Sequence, residues 1–182
     1  MKNDLNLEKL KFPIGKFQKI DSISENDLNT WIAIIEIFPS KLKKLTESLS
    51  VEELNWIYRP KGWKIKQVVH HFADSHMNSF IRFKLVLTED VPTIKPYEEA
   101  LWAELEDGKS DNILPSLKII EGVHTRWVLL LKSLGENELK RQFFHPSNLK
   151  ISSLEETIGV YAWHCSHHLA HIDQALLHKG KF

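Results

Sequence analysis

Apolar residues along this chain recur mainly at three- and four-residue steps, the spacing that places them on one face of an α-helix. The first such run covers residues 31–49. It follows Ser24, whose hydroxyl can cap a helix, and Asp27 adds a negative charge to the first turn. Pro39 lies inside the run, so the sequence predicts a kink or a break at that point.

Three further long helices are predicted from the same criteria. Residues 65–88 contain neither glycine nor proline and indicate one uninterrupted helix. Residues 113–134 form the next, with Gly135 directly after its end, and residues 153–178 form the last. A short helix is expected at 98–106.

Four long helices without alternating strand patterns predict an all-α four-helix bundle. The connection through residues 89–110, between the second and third long helices, is too long for a simple up-down-up-down arrangement. Residues 1–23 hold few periodic apolar positions and include Phe-Pro-Ile-Gly at 12–15, so we expect an extended N-terminal arm. The whole chain, residues 1–182, is interpreted as one domain.

Composition and charge exclude several classes of protein. The 24 basic and 24 acidic residues cancel, so no overall charge attracts nucleic acid or an anionic membrane. The apolar runs fall short of the roughly 18 residues of a membrane span, and the N-terminus lacks a secretory segment, so a cytoplasmic protein is expected. A single cysteine, Cys165, excludes an internal disulfide and a cysteine-rich zinc module.

Histidine is the unusual feature of the composition. Seven of the ten histidines fall in two short windows, one in each of two predicted long helices. They are His70, His71 and His76 in the first window, and His164, His167, His168 and His171 in the second.

The second window contains two histidine pairs spaced four residues apart, and such a pair can place two imidazoles on one metal ion. Projected at about 100° per residue, His164 and His168 flank the apolar stripe of their helix, whereas the pair His167 and His171 points more towards solvent. The residue after His164 is Cys165 rather than glutamate, which excludes the metalloprotease motif that has this histidine spacing.

The first window leaves a choice open. His76 falls within the apolar stripe of its helix and is expected to be buried. His71 heads a polar column that continues through Ser75, Asn78 and Arg82. Periodicity does not decide which of the two histidines belongs to a site.

Several long motifs resemble one known family. They are GWKIKQVVHHFADSHMNSFIRFKLVLTED at 62–90, PTIKPYEEALWAEL at 92–105, HTRWVLLL at 124–131 and YAWHCSHHLAHI at 161–172. Together they resemble the YfiT-like branch of the DinB superfamily, and the likeness covers nearly the whole chain. The resemblance implies a four-helix bundle that binds one divalent ion, zinc or nickel, through three histidines. Carried over by motif, these are His71, before Phe72, and the pair His164 and His168, after Trp163.

The resemblance also implies a function. A metal-dependent hydrolase acting on a small molecule is expected, in which the ion activates water. The alternatives are an S-transferase that uses a low-molecular-weight thiol such as bacillithiol, or a non-catalytic, metal-containing stress-response module. An interaction protein whose metal only ties helices together stays open as well. The resemblance further implies a homodimer.

Three residues near His71 are candidates for supporting roles. Asn78 and Arg82 could orient a substrate, and Asp74 could hold a ligand histidine through a hydrogen bond. The alternative for all three is a solvated helix face. Cys165 lies in an apolar stripe and is interpreted as a small buried residue rather than a nucleophile. His145 could reach the pocket from its loop.

Overall fold

The computed structural model describes residues 2–182, with side chains from residue 7 onward. Its helices and strands follow in chain order. They are α1 (Lys2–Lys11), α2 (Glu25–Thr46), α3 (Val51–Leu54), α4 (Ile65–Thr88), α5 (Glu99–Trp102), α6 (Leu114–Lys132), α7 (Glu136–Leu139), β1 (Gln142–His145), β2 (Lys150–Ser153) and α8 (Leu154–His178).

The four long helices α2, α4, α6 and α8 form the predicted four-helix bundle. Both α2 and α4 pack against α6 and against α8. Helices that follow one another in this set, α2 and α4, therefore occupy opposite corners of the bundle. The segment 89–113, which includes α5, is the predicted long connection between the second and third of them.

Local chemistry explains where the long helices begin. Ser24 accepts a hydrogen bond from the backbone N–H of Asp27, whose carboxylate accepts one from the Ser24 N–H, a reciprocal cap at the start of α2. Ser153 accepts one from the Glu156 N–H at the start of α8. Helix α4 has the bounds that the sequence predicted.

Helix α2 continues through Pro39 without interruption, so the prediction of a break at that residue is wrong. Pro39 has no N–H to donate to the carbonyl of Ile35, one turn earlier. That carbonyl instead accepts a hydrogen bond from Nδ1 of His124, on α6, at 2.7 Å. A contact between helices thus uses the backbone acceptor that the proline leaves free.

Two sequence predictions need correction. Residues 2–11 of the predicted extended arm form α1; Met1 lies outside the described residues. Contacts with α8 fix this helix, since Gln174 donates to the carbonyl of Leu10, and periodicity within so short a segment does not reveal them.

The second correction is the polar segment before α8, which contains the antiparallel strands β1 and β2, with Gln142 opposite Ser153. Strands of four residues are too short to show an alternating pattern clearly.

The core is aromatic and tightly packed. Trp127, Phe38, Phe72 and Phe83 are among its largest fully buried side chains. A Cβ at Gly159 of α8 would lie 2.9 Å from the Trp31 ring, so glycine is needed where α8 approaches α2.

Within residues 2–182, the helices are too short or too polar to cross a lipid bilayer.

Candidate metal centre

The structure brings together the three histidines that the family motifs single out. His71 on α4 and His164 and His168 on α8 each direct one ring nitrogen into a common space, and these nitrogens lie within 4.8 Å of one another. Nε2 of His71 and Nε2 of His164 are 3.2 Å apart. Two nitrogens bound to one tetrahedral zinc ion at about 2.0–2.1 Å are roughly 3.3 Å apart, so this spacing fits shared coordination.

Packing holds the three rings in place. The four-residue spacing puts His164 and His168 on one face of α8, which packs against α4. The Phe72 ring lies edge-on to both rings, with centroid distances of 5.8 and 5.6 Å. The Trp63 ring also packs against His71, with a centroid distance of 4.9 Å. Aromatic neighbours therefore restrict how each imidazole can turn.

Burial keeps these rings neutral. Loss of solvent lowers the pKa of His71 to about 4, and the pKa of His164 and that of His168 lie well below the ordinary value for the same reason, reinforced by the neighbouring histidines. A neutral imidazole has a lone pair available for a metal. Three such nitrogen donors fit zinc or nickel, and they leave room for a further ligand.

A cavity of about 590 Å³ opens on the three histidines. Its wall combines the aromatic rings of Trp63 and Trp163 with three cationic side chains, Lys11, Arg59 and Lys61. Glu99 also lines it, and burial, together with the charge of Glu98, raises the pKa of the Glu99 carboxyl. The cavity can admit a small molecule to the histidines.

A second histidine cluster shares one member with the first. Nitrogens of His167, His168 and His171 also lie within 4.8 Å of one another, all on α8. The sequence placed His167 and His171 towards solvent, and this is wrong, since they are only 6% and 2% exposed.

The covering groups come from distant parts of the chain. The Tyr58 ring stacks on His171 at 3.9 Å, and the Phe12 ring lies 5.8 Å from that of His167. Projection along a single helix takes account only of that helix's own apolar stripe, so it missed this cover.

Two histidines behind the centre were not identified as functional from sequence. His76 is fully buried, as its place in the apolar stripe predicted, and its Nε2 lies 3.1 Å from Nδ1 of His164. Its Nδ1 lies 2.6 Å from Nε2 of His124, which the sequence showed only inside an apolar motif on another helix. The sequence signal that could have pointed to them is the number of histidines in the chain, since ten exceed what three ligands require.

The hydrogen bonds of Asn78 and Arg82 go to the backbone rather than to the three rings. Asn78 donates to the backbone carbonyl of Asp74 at 2.8 Å. Burial, and then the charge of Asp107, raises the pKa of the Asp74 carboxyl to about 6. Arg82 donates to the carbonyl of Lys95 at 3.3 Å. Among the described residues, no hydrogen bond joins these three side chains to a ring of the candidate centre.

Arg82 and His145 do line a separate cavity of about 410 Å³ that touches His164 from another side.

Two other residues have structural roles. Cys165 is completely buried, which raises the pKa of its thiol well above the ordinary value and agrees with a packing residue. His70 is hydrogen-bonded to the hydroxyl of Ser116 and the carbonyl of Ser110.

A helical bundle in which two neighbouring helices, α4 and α8, share a three-histidine cluster defines the class of this protein. Residues 34–172 match the family model of the DinB superfamily, and the chain belongs to that superfamily. It is 46% identical over 165 residues to the Bacillus subtilis (strain 168) protein named "Putative metal-dependent hydrolase YfiT", covering 91% of this chain and 93% of that protein.

Further similarities agree with this assignment. A Bacillus cereus (strain 03BB102) protein, also named "Putative metal-dependent hydrolase", is 49% identical over 166 residues, covering 90% of this chain and 93% of that protein. A solved structure described as "YfiT from Bacillus subtilis is a probable metal-dependent hydrolase with an unusual four-helix bundle topology" matches with a TM-score of 0.91 at 44% identity. It covers 94% of this chain and 98% of that chain.

Proposed function

We propose that this protein is a hydrolase that uses one divalent ion, zinc or nickel, held by His71, His164 and His168. The observation that supports this most strongly is the meeting of three neutral imidazoles from two helices at the wall of an accessible cavity. A structural metal site usually has four protein ligands, whereas three leave a position for a reacting molecule.

The ion would supply Lewis-acid chemistry and lower the pKa of a water molecule to near neutrality. The protein's own residues do the remaining work. The rings of Trp63 and Phe72 pack against the histidines and limit their contact with bulk water, which strengthens electrostatic interactions there. Neutral ligands leave the positive charge of the ion uncompensated, so the site favours an anionic nucleophile.

The cationic wall of the cavity indicates the kind of substrate. Arg59 and Lys61 come from the turn before α4, and Lys11 ends α1. The Arg59 Nε is buried, and within residues 2–182 it has no hydrogen-bond partner. A buried unpaired donor is costly unless a ligand supplies an acceptor. We therefore propose a small-molecule substrate with a carboxylate or similar anionic group, bound by Arg59.

The same site supports a second candidate, a thiol S-transferase. A thiol bound at the ion would react as a thiolate, and the three cations of the wall favour that anion as well as an anionic substituent on the thiol. A non-catalytic metal-containing module is the third candidate. Turnover is the property that separates it from the other two.

Metal analysis followed by two activity screens tests these functions. The purified protein should contain about one zinc or nickel ion per chain, and the variant His71→Gln should lose it. The metal-loaded protein is then assayed on ester and amide substrates, with and without an anionic group, and separately on thiols with electrophiles. Hydrolysis that His71→Gln abolishes and Arg59→Gln weakens supports the proposal. Turnover only with thiols favours the transferase, and a metal-loaded protein without turnover leaves the non-catalytic module.

We also propose that the protein is a homodimer and acts in the cytoplasm. Near-zero net charge presents little electrostatic barrier to self-association. Light scattering at micromolar concentration tests the dimer, and a mass of one chain would contradict it.

A further inference from the structure

Two rows of histidines run from the candidate metal centre into the protein, and each ends on a backbone carbonyl. In the first row, Nδ1 of His164 lies 3.1 Å from Nε2 of His76, and Nδ1 of His76 lies 2.6 Å from Nε2 of His124. Nδ1 of His124 lies 2.7 Å from the carbonyl oxygen of Ile35. This row crosses all four helices of the bundle, α8, α4, α6 and α2.

The second row is shorter and runs towards the N-terminal helix. Nδ1 of His168 lies 3.2 Å from Nδ1 of His171. Nε2 of His171 lies 3.0 Å from the carbonyl oxygen of Lys11.

The carbonyl at the end of the first row decides which nitrogens carry protons. A carbonyl can only accept, so Nδ1 of His124 carries the hydrogen. A neutral imidazole has one N–H, so Nε2 of His124 must accept from the Nδ1–H of His76. By the same step, Nε2 of His76 accepts from the Nδ1–H of His164. The lone pair of His164 is then on Nε2, the atom that faces His71 at 3.2 Å.

The second row gives the same result for the other ligand on α8. Nε2 of His171 donates to the carbonyl of Lys11, so its Nδ1 accepts. His168 donates from Nδ1 and retains its lone pair on Nε2. The second histidine cluster then has a proton at the nitrogen of His168 that faces His171, which makes it a poor metal site.

Both carbonyls lack an N–H partner within their own helix, for two different reasons. Pro39 has no N–H for the carbonyl of Ile35, four residues earlier. Lys11 is the last residue of α1, where carbonyls lack intrahelical partners. Burial favours neutral rings in both rows, as the direction of the hydrogen bonds requires, since His124 is 1% and His171 is 2% exposed.

We propose that His76, His124 and His171 are positioning residues that fix His164 and His168 as the tautomers with Nε2 free for the ion. The rows themselves follow from the described contacts, and only the identity of the bound group rests on the proposed function. A ligand histidine commonly donates its second N–H to a carboxylate, carbonyl or water. Here other histidines lie between the ligand and the carbonyl. They are His76 and His124 before Ile35, and His171 before Lys11.

The tautomers can be measured directly in the unsubstituted, metal-free protein. Long-range ¹H–¹⁵N NMR spectra at about pH 8, above the ordinary histidine pKa of about 6.5, report which ring nitrogen bears the proton. We expect Nδ1–H at His164, His168, His76 and His124, and Nε2–H at His171. A proton on Nε2 of His164 or His168 would overturn the proposal.

A pair of variants at one position tests the consequence for metal binding. In His76→Gln, the amide oxygen can accept from His164 while the amide N–H donates to His124. In His76→Leu, neither bond exists. We expect zinc affinity within about threefold of the unsubstituted protein for glutamine, and a loss of about 10–100-fold for leucine.

His70→Leu is the matched control, since it removes a buried histidine beside a ligand but outside both rows. It should lower stability and leave zinc affinity within about threefold of the unsubstituted value. Equal zinc affinity in the two folded His76 variants contradicts the proposal, and if the leucine variant does not fold, the NMR result decides alone. If the protein has the expected tautomers but binds no ion, the proposed function is contradicted and the tautomer assignment stands. If it binds metal with the opposite tautomers, the tautomer assignment is contradicted and the proposed function stands.

Discussion

Helix α8 presents two histidine pairs with the same four-residue spacing, and their surroundings differ. The inner pair, His164 and His168, faces α4 and meets the imidazole of His71. The outer pair, His167 and His171, is covered by the N-terminal segment and aromatic rings. The inner pair is half-buried and lines the cavity, whereas the outer pair is buried, so burial alone does not single out the inner pair. The facing group distinguishes them. The imidazole of His71, on a second helix, faces the inner pair, whereas His171 of the outer pair donates to the backbone carbonyl of Lys11.

The largest difference between the pairs should appear in metal affinity. We predict that His164→Ala lowers zinc affinity at least about 100-fold, because one of the three proposed ligands is lost. His167→Ala, the matched change in the outer pair, should stay within a few-fold of the unsubstituted protein. Isothermal titration with zinc measures both. Equal losses in the two variants would show that the outer pair also binds the ion.

The pH dependence of stability tests the histidine behind the inner pair. Burial lowers the pKa of His124 to about 4, whereas the unfolded chain has a value of about 6.5. Between these values the unfolded state binds more protons, so stability is fully present above about pH 6.5 and is lost as pH falls towards 4. His124 alone should cost the metal-free protein about 2 kcal/mol between pH 7 and 5.

Urea unfolding at the two pH values measures this effect, and His124→Gln is the comparison. The variant is less stable at pH 7, but its stability should fall less steeply with acid because one titrating group is gone. Parallel slopes for the two proteins would mean that His124 is not held neutral in the folded state.

Removing the cover of the outer pair should have a smaller effect on the inner pair. A chain without residues 1–12 lacks the Phe12 ring and the Lys11 carbonyl that accepts from His171. We predict about a tenfold loss of zinc affinity, because His168 then loses its fixed hydrogen-bond partner while all three proposed ligands stay. Unchanged affinity would indicate that α1 only covers the helix, and circular dichroism checks that the bundle still folds.

The smallest predicted effect comes from Pro39. Pro39→Ala adds an N–H that competes with His124 for the carbonyl of Ile35. Since a carbonyl oxygen has two lone pairs, the bond to His124 should weaken rather than disappear. Zinc affinity should fall only about two- to threefold, while helix propensity improves. A tenfold or larger loss would show that the carbonyl is the dominant control of the inner pair.

Sequence patterns determined most of the architecture of this protein. Periodicity and capping residues predicted the four long helices with ends within three residues of those observed, since the face that a helix buries and the side chains that cap it are local properties. The family motifs singled out His71, His164 and His168, which the structure brings together. Periodicity alone left His71 and His76 as alternatives, because His76 falls within the apolar stripe of α4 whereas His71 heads its polar column.

Tertiary structure decided what the other histidines do. Phe12, which covers His167, and Tyr58, which covers His171, lie about 150 and about 110 positions earlier in the chain than the histidines they cover. A projection along one helix contains no such neighbours. The link from His164 through His76 and His124 to Ile35 joins four helices, so no single segment shows it. Spacing along the chain fixes which side chains share a face of one helix, whereas the partner of each ring nitrogen depends on how the helices pack against one another.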